Sequence, residues 1–87
     1  MKIISKPIQA IIWFKEKEHP QPLKFRFLSD DASYVTIKID RIVEILPQKI
    51  AGNRSLIYRC QSIMENREFR YELKYLLDEN RWLLYKL

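Results

Sequence analysis

The stretch NRSLIYRCQSIMENREFRYELKYLLDENRWLLYKL, Asn53 to Leu87, decides the fold. It reads as three strands joined by two short polar turns, Met64 to Glu68 and Asp78 to Arg81, with apolar and polar residues alternating as a half-buried pleated sheet requires. Phe69, Tyr71, Leu73, Tyr75 and Leu77 share one side of the middle strand, and Arg70, Glu72 and Lys74 share the other. An antiparallel meander follows. A three-stranded meander with one apolar face is not stable alone in water, so the first fifty residues must supply the other half of a core.

Working outward toward the N-terminus, Tyr34 to Leu46 gives the longest alternating run, with Val35, Ile37, Ile39, Val43 and Ile45 on one face and Thr36, Lys38, Asp40 and Glu44 on the other. Its length predicts a strand that bends, shared between two sheets or passing a barrel corner. Arg41 interrupts its apolar phase and marks a bulge, an edge or a charge held by Glu44 or Glu72. Pro47 is expected to end the strand, with Gln48 to Ala51 free to form a single helical turn. Gly52, the one glycine, precedes Asn53 and Arg54, so a positive φ is expected there.

Before Tyr34, the residues Ser29 to Ser33 form a turn, and Leu23 to Leu28 alternates with Leu23, Phe25 and Phe27 inward and Lys24 and Arg26 outward. His19, Pro20, Gln21 and Pro22 hold an extended loop. Ile8 to Phe14 is apolar on both phases, which predicts a strand covered on both faces. Met1 to Lys6 is a loose end or a short edge strand closed by Pro7.

These elements predict one all-β domain over residues 1–87. About six mostly antiparallel strands would form a small SH3-like or split barrel, with a two-sheet sandwich as the alternative. Closure is favoured because it removes edges that invite aggregation.

Composition limits the chemistry. One cysteine, Cys60, allows no internal disulfide, and with the one histidine it completes no structural zinc site. Cys60 shares a phase with Leu56, Tyr58 and Met64 and reads as a small core residue. His19 lies in a proline-rich loop where solvation is the default, and Asp30, Asp31, Asp78 and Glu79 fall in turn contexts where carboxylates cap and solvate. A phosphate-binding glycine loop needs more than one glycine. No cofactor is expected, and an enzyme with a pocket beside Gly52 or His19 is the weakest of three readings. The start of the chain lacks the apolar run of an export signal, and no stretch approaches the roughly 18 apolar residues of a membrane span. A cytoplasmic protein without membrane contact is the expectation.

Sixteen Lys and Arg against eleven Asp and Glu leave a net charge of +5. Lys24, Arg26, Lys38, Arg59, Arg70 and Lys74 all fall on polar phases of predicted strands, and neighbouring strands would join them into a basic stripe able to bind nucleic acid by counterion release. Trp13 or Trp82 could add a stacking platform, and each fits the core equally well. Against this, Asp40, Glu44 and Glu72 occupy the same phase and would pair with those cations as on an ordinary surface sheet. The remaining reading is a protein-interaction or homodimerising module that pairs through an exposed edge or aromatic patch.

Ala51, Gly52, Asn53 and Arg54, then Tyr58 to Ser62, then Tyr71 to Tyr75, resemble the central pattern of a family of small bacterial proteins of clostridial type, a domain family without an assigned activity. The likeness extends over nearly the whole chain, including Trp13, Arg26 and the closing Arg81 to Tyr85. It implies a bacterial, cytoplasmic origin and brings no binding residues. It draws attention to the loop Gly52, Asn53, Arg54 and to the strand face of Arg59 and Gln61.

Overall fold

In the computed structural model, which describes residues 1–87, the quoted stretch forms β6 (Asn53–Met64), β7 (Arg67–Leu76) and β8 (Arg81–Lys86) as a meander. Its first turn is a two-residue hairpin in which Glu65 and Asn66 both take positive φ, the twist that matches right-handed strands. The second runs Leu77 to Asn80 between the paired Leu76 and Arg81. β1 (Ile3–Pro7) joins the outer side of β8, and β5 (Arg41–Ile50) joins β6, giving a five-stranded sheet in the order β1-β8-β7-β6-β5. The remaining strands, β2 (Gln9–Trp13), β3 (Gln21–Leu28) and β4 (Tyr34–Lys38), make a three-stranded sheet in chain order. Every pairing is antiparallel. The chain contains no helix, so none is long and apolar enough to cross a membrane.

The two sheets pack face to face around one core. Phe25 and Ile37 from the small sheet meet Leu56, Tyr58, Cys60, Tyr71, Leu73, Tyr75 and Leu84 from the large one. Phe25 sits against Tyr71 with ring centroids 5.5 Å apart, and Trp82 bridges Tyr58 and Tyr75 at 5.1 and 4.6 Å. The buried hydroxyls are satisfied. Ser62 donates to the Lys38 carbonyl at 2.6 Å and bonds the Tyr71 hydroxyl, while Tyr58 donates to the Pro20 carbonyl.

Eight strands in two open sheets replace the expected closed barrel of about six, and the two-sheet alternative is the architecture adopted. The long run from Tyr34 is indeed shared between sheets. It leaves β4 at Ile39 and Asp40 and enters β5 in the other sheet, and Asp40 fixes the corner by accepting from the Ile63 amide at 2.8 Å. Two sheets joined by this corner and by the β1–β2 link at Ile8 bury the apolar faces without the continuous hydrogen bonding that a barrel demands.

Local departures have the same origin, namely edges and bulges. β2 is an edge strand with one covered face, so Ile11 and Trp13 are exposed rather than buried, and Phe14 is exposed in the loop just past its end. Leu23 turns outward because the register of β2 and β3 slips between Ile11 and Ile12, and Val43 turns outward at a slip between Ile42 and Glu44. Arg41 is exposed just past the corner, two residues before that bulge. Pro47 remains within β5 opposite Leu56, and the strand continues to Ile50 without a helical turn, because an edge strand can spare a donor. Gly52 has φ of +83°, and Ala51 before it is also positive, so the β5–β6 hairpin is a two-residue turn of the twisted kind.

Candidate nucleic-acid interface

Alternation along β2, β3 and β4 sends Phe25, Ile37 and Ala10 into the core and turns Gln9, Ile11 and Trp13, Lys24 and Arg26, and Tyr34, Thr36 and Lys38 to the opposite face. Register then places them side by side. Gln9 lies opposite Arg26 and Arg26 opposite Thr36, while Ile11 lies opposite Lys24 and Lys24 opposite Lys38. None of the three strands contains an Asp or Glu. Lys24, Arg26 and Lys38 therefore take part in no ion pair, although most of the chain's carboxylates elsewhere do. Two lysines directly across a strand pair without a carboxylate between them repel, which costs the sheet stability.

Aromatic rings stand at two corners of this face. Trp13 on β2 is 52 % exposed and Tyr34 on β4 is 59 % exposed. Each carries a cation against its ring: Lys15 Nζ lies 4.2 Å from the Trp13 centroid, and the Arg26 guanidinium lies 4.3 Å from that of Tyr34. Arg26 is held in place from the other side, where its Nε donates to Gln9 Oε1 at 2.6 Å. On either side of this Gln9–Arg26 bridge the surface dips. One depression of about 410 Å³ is lined by Ile11, Lys24, Arg26 and Thr36, and the other, of about 220 Å³, by Arg26, Leu28 and Tyr34.

The other three basic positions are on the far side of the molecule, on the outer face of the five-stranded sheet. Arg59 bridges Glu44 at 3.0 Å and the buried Glu72 at 3.4 Å, and Arg70 lies 3.9 Å from Glu68. Lys74 is half-buried, with its ammonium 4.8 Å from the Tyr85 ring. The expected single stripe is thus split in two. Lys24, Arg26 and Lys38 are brought together without a carboxylate partner, whereas Arg59 and Arg70 pair with acids and Lys74 is half-buried against Tyr85, as an ordinary surface sheet arranges them.

The loop Gly52, Asn53, Arg54 has a structural task. The Asp78 carboxylate accepts from the Arg54 amide at 3.0 Å and from its guanidinium at 2.9 Å, tying the β5–β6 hairpin to the β7–β8 loop. Those bonds hold Asp78 below the usual carboxylate range. Asp31 is lowered likewise by Ser29 and Ser33, in keeping with a turn-capping carboxylate. His19 lies at an open depression with Lys17, Glu18 and Gln21, at the end of the three-stranded sheet where Gln21 pairs with Trp13. No group of three or more His, Cys, Asp or Glu side chains gathers in a metal-binding arrangement.

The sequence pattern does not mark Tyr34, Gln9 or Thr36 as binding residues, and it assigns Trp13 equally to a platform or to the core. Tyr34 shares its phase with Thr36 and Lys38, so the signal was present. Gln9 and Trp13 share theirs with Ile11, and an apolar residue on that phase concealed the exposed face.

Comparison with known proteins gives no match of any kind, whether to a family model, a curated protein or a solved structure.

Proposed function

We propose that this chain is a nucleic-acid-binding module that uses the outer face of its three-stranded sheet. The observation that carries the reading is the cluster Lys24, Arg26 and Lys38, adjacent through register, exposed and without a carboxylate on any of its three strands. A polyanion that supplies phosphates opposite these groups relieves the Lys24–Lys38 repulsion and releases its own counterions. Cytoplasmic residence suits both a nucleic-acid ligand and a lone reduced thiol at Cys60.

Edge-to-edge dimerisation is the less favoured reading. The free edges are β2 and β4, five residues each, the irregular β1, and β5 with its bulge and Pro47, all of them features that discourage strand addition.

Fluorescence anisotropy with labelled oligonucleotides tests the proposal. Three phosphate contacts predict a slope of log K against log salt of about −2 to −3, a loss of about 20- to 40-fold between roughly 50 and 200 mM. The triple variant Lys24→Ala, Arg26→Ala, Lys38→Ala should abolish binding, and Arg70→Ala with Lys74→Ala should retain it. Arg59 is left out of the control because its removal strands the buried Glu72. Absence of binding to any oligonucleotide at the lower salt refutes the proposal.

A further inference from the structure

Resting on that reading, the geometry points to a narrower ligand: we infer that the face takes single-stranded nucleic acid, with bases stacked at Trp13 and Tyr34 and the phosphates between them on Lys24, Lys38 and Arg26. The two rings stand at diagonal corners, since Trp13 lies opposite Gln21 at one end of β3 and Tyr34 opposite Leu28 at the other. Strand rise and spacing put them about 20 Å apart along the strands and about 10 Å across them. The three free cations lie between, so the path from ring to ring runs over Lys24 and Arg26.

Each ring has a cation over it: Arg26 at Tyr34, with no carboxylate paired to it, and Lys15 at Trp13, which also lies 4.0 Å from Glu18. Such a pair offers a base a stacking surface and its phosphate a charge in one place. Arg26 is already oriented by Gln9 and lays its planar guanidinium over the ring, a flat cationic surface for a base, so little side-chain freedom is left to lose on binding. Duplex ligands use this arrangement poorly. Their bases are stacked on one another and closed to aromatic side chains, and the face is a shallow surface with no helix to enter a groove. A run of about four nucleotides, at the low end of site sizes for small β domains, spans the two rings. Ribose and deoxyribose strands share this chemistry, and nothing on the face addresses the 2′-hydroxyl by itself.

The test uses the full chain with labelled oligouridylate and oligothymidylate of about 12 nucleotides, and RNA and DNA duplexes of the same length. Both single strands should bind at least about tenfold more tightly than either duplex, and Trp13→Ala and Tyr34→Ala should each weaken single-strand binding by about tenfold while leaving duplex binding unchanged. Both side chains are more than half exposed, so these variants fold. Trp13→Phe should restore most of the affinity. In a Trp82→Phe background, single strands should quench Trp13 fluorescence. Equal affinity for single strands and duplexes, or single-strand affinity unmoved by Trp13→Ala combined with Tyr34→Ala, overturns the inference and leaves the basic-face reading standing. Loss of all binding at low salt overturns both.

Discussion

Cys60 illustrates what burial does to a single side chain. It is 1 % exposed in the middle of β6, and removal from water, with Glu72 adding to the effect, pushes its thiol from an ordinary 9.0 up to about 12. Between those values the unfolded chain releases a proton that the folded chain keeps. The stability this confers is complete below about pH 9 and is lost as pH rises toward 12. Tyr58 and Tyr71 are raised for the same reason and act in the same direction from a higher starting point. Urea midpoints should be flat through neutral pH and fall above about pH 9, and Cys60→Ala should delay the onset. A midpoint independent of pH to about 11 in the parent chain would contradict this account of the core. The native thiol at pH 8 should also resist alkylation until the chain unfolds. That Cys60 is a core residue was legible in its phase with Leu56 and Tyr58. The burial of Glu72 was not, because its cover comes from the long side chains of neighbouring strands, Arg59 among them.

Among the elements, β3 joins the two properties of the molecule. Phe25 on its inner face completes the core, while Lys24 and Arg26 on its outer face begin the proposed interface, one residue to either side. A strand with period two can serve both needs at once. The cost is the Lys24–Lys38 pair, and it makes a prediction that separates function from folding. Lys38→Glu replaces repulsion with attraction across the strands and should stabilise the chain by about 0.5 kcal/mol, read from urea denaturation. The same change should weaken oligonucleotide binding and lower the salt slope by about 1 or more. A variant that is both less stable and an unimpaired binder would remove the argument drawn from this pair. Alternation told which residues of β3 and β4 share a face. Bulges at Leu23 and Val43 did not show in it, since a one-residue register slip depends on which strand lies alongside.

For the whole molecule, two open sheets hold together through a core to which the small sheet contributes few large side chains. Phe25 is the largest of them, 2 % exposed and in contact with Tyr71 and Phe27. Phe25→Ala should cost about 3 to 5 kcal/mol. A chain of 87 residues has about 4 to 13 kcal/mol in total. The variant should therefore approach unfolding at room temperature, with its denaturation midpoint shifted far below that of Lys38→Ala, which alters only the surface. A loss under about 1 kcal/mol would mean that the sheets do not depend on this contact.

Hydrophobic alternation by itself determined the all-β class, the closing meander from Asn53, the core role of Cys60 and the polar phase on which Arg59 meets Glu44 and Glu72, and the lone glycine determined the turn at Gly52. Each of these rests on neighbours along one strand or across one short hairpin. Tertiary structure decided what depends on partners distant in sequence: eight strands in two sheets rather than a closed barrel, the exposure of Ile11 and Trp13 on an edge, and the separation of Lys24, Arg26 and Lys38 from Arg59, Arg70 and Lys74. The corner at Ile39 and Asp40 is the physical reason, because there the chain passes from one sheet to the other and places the two sets of cations on opposite faces of the molecule.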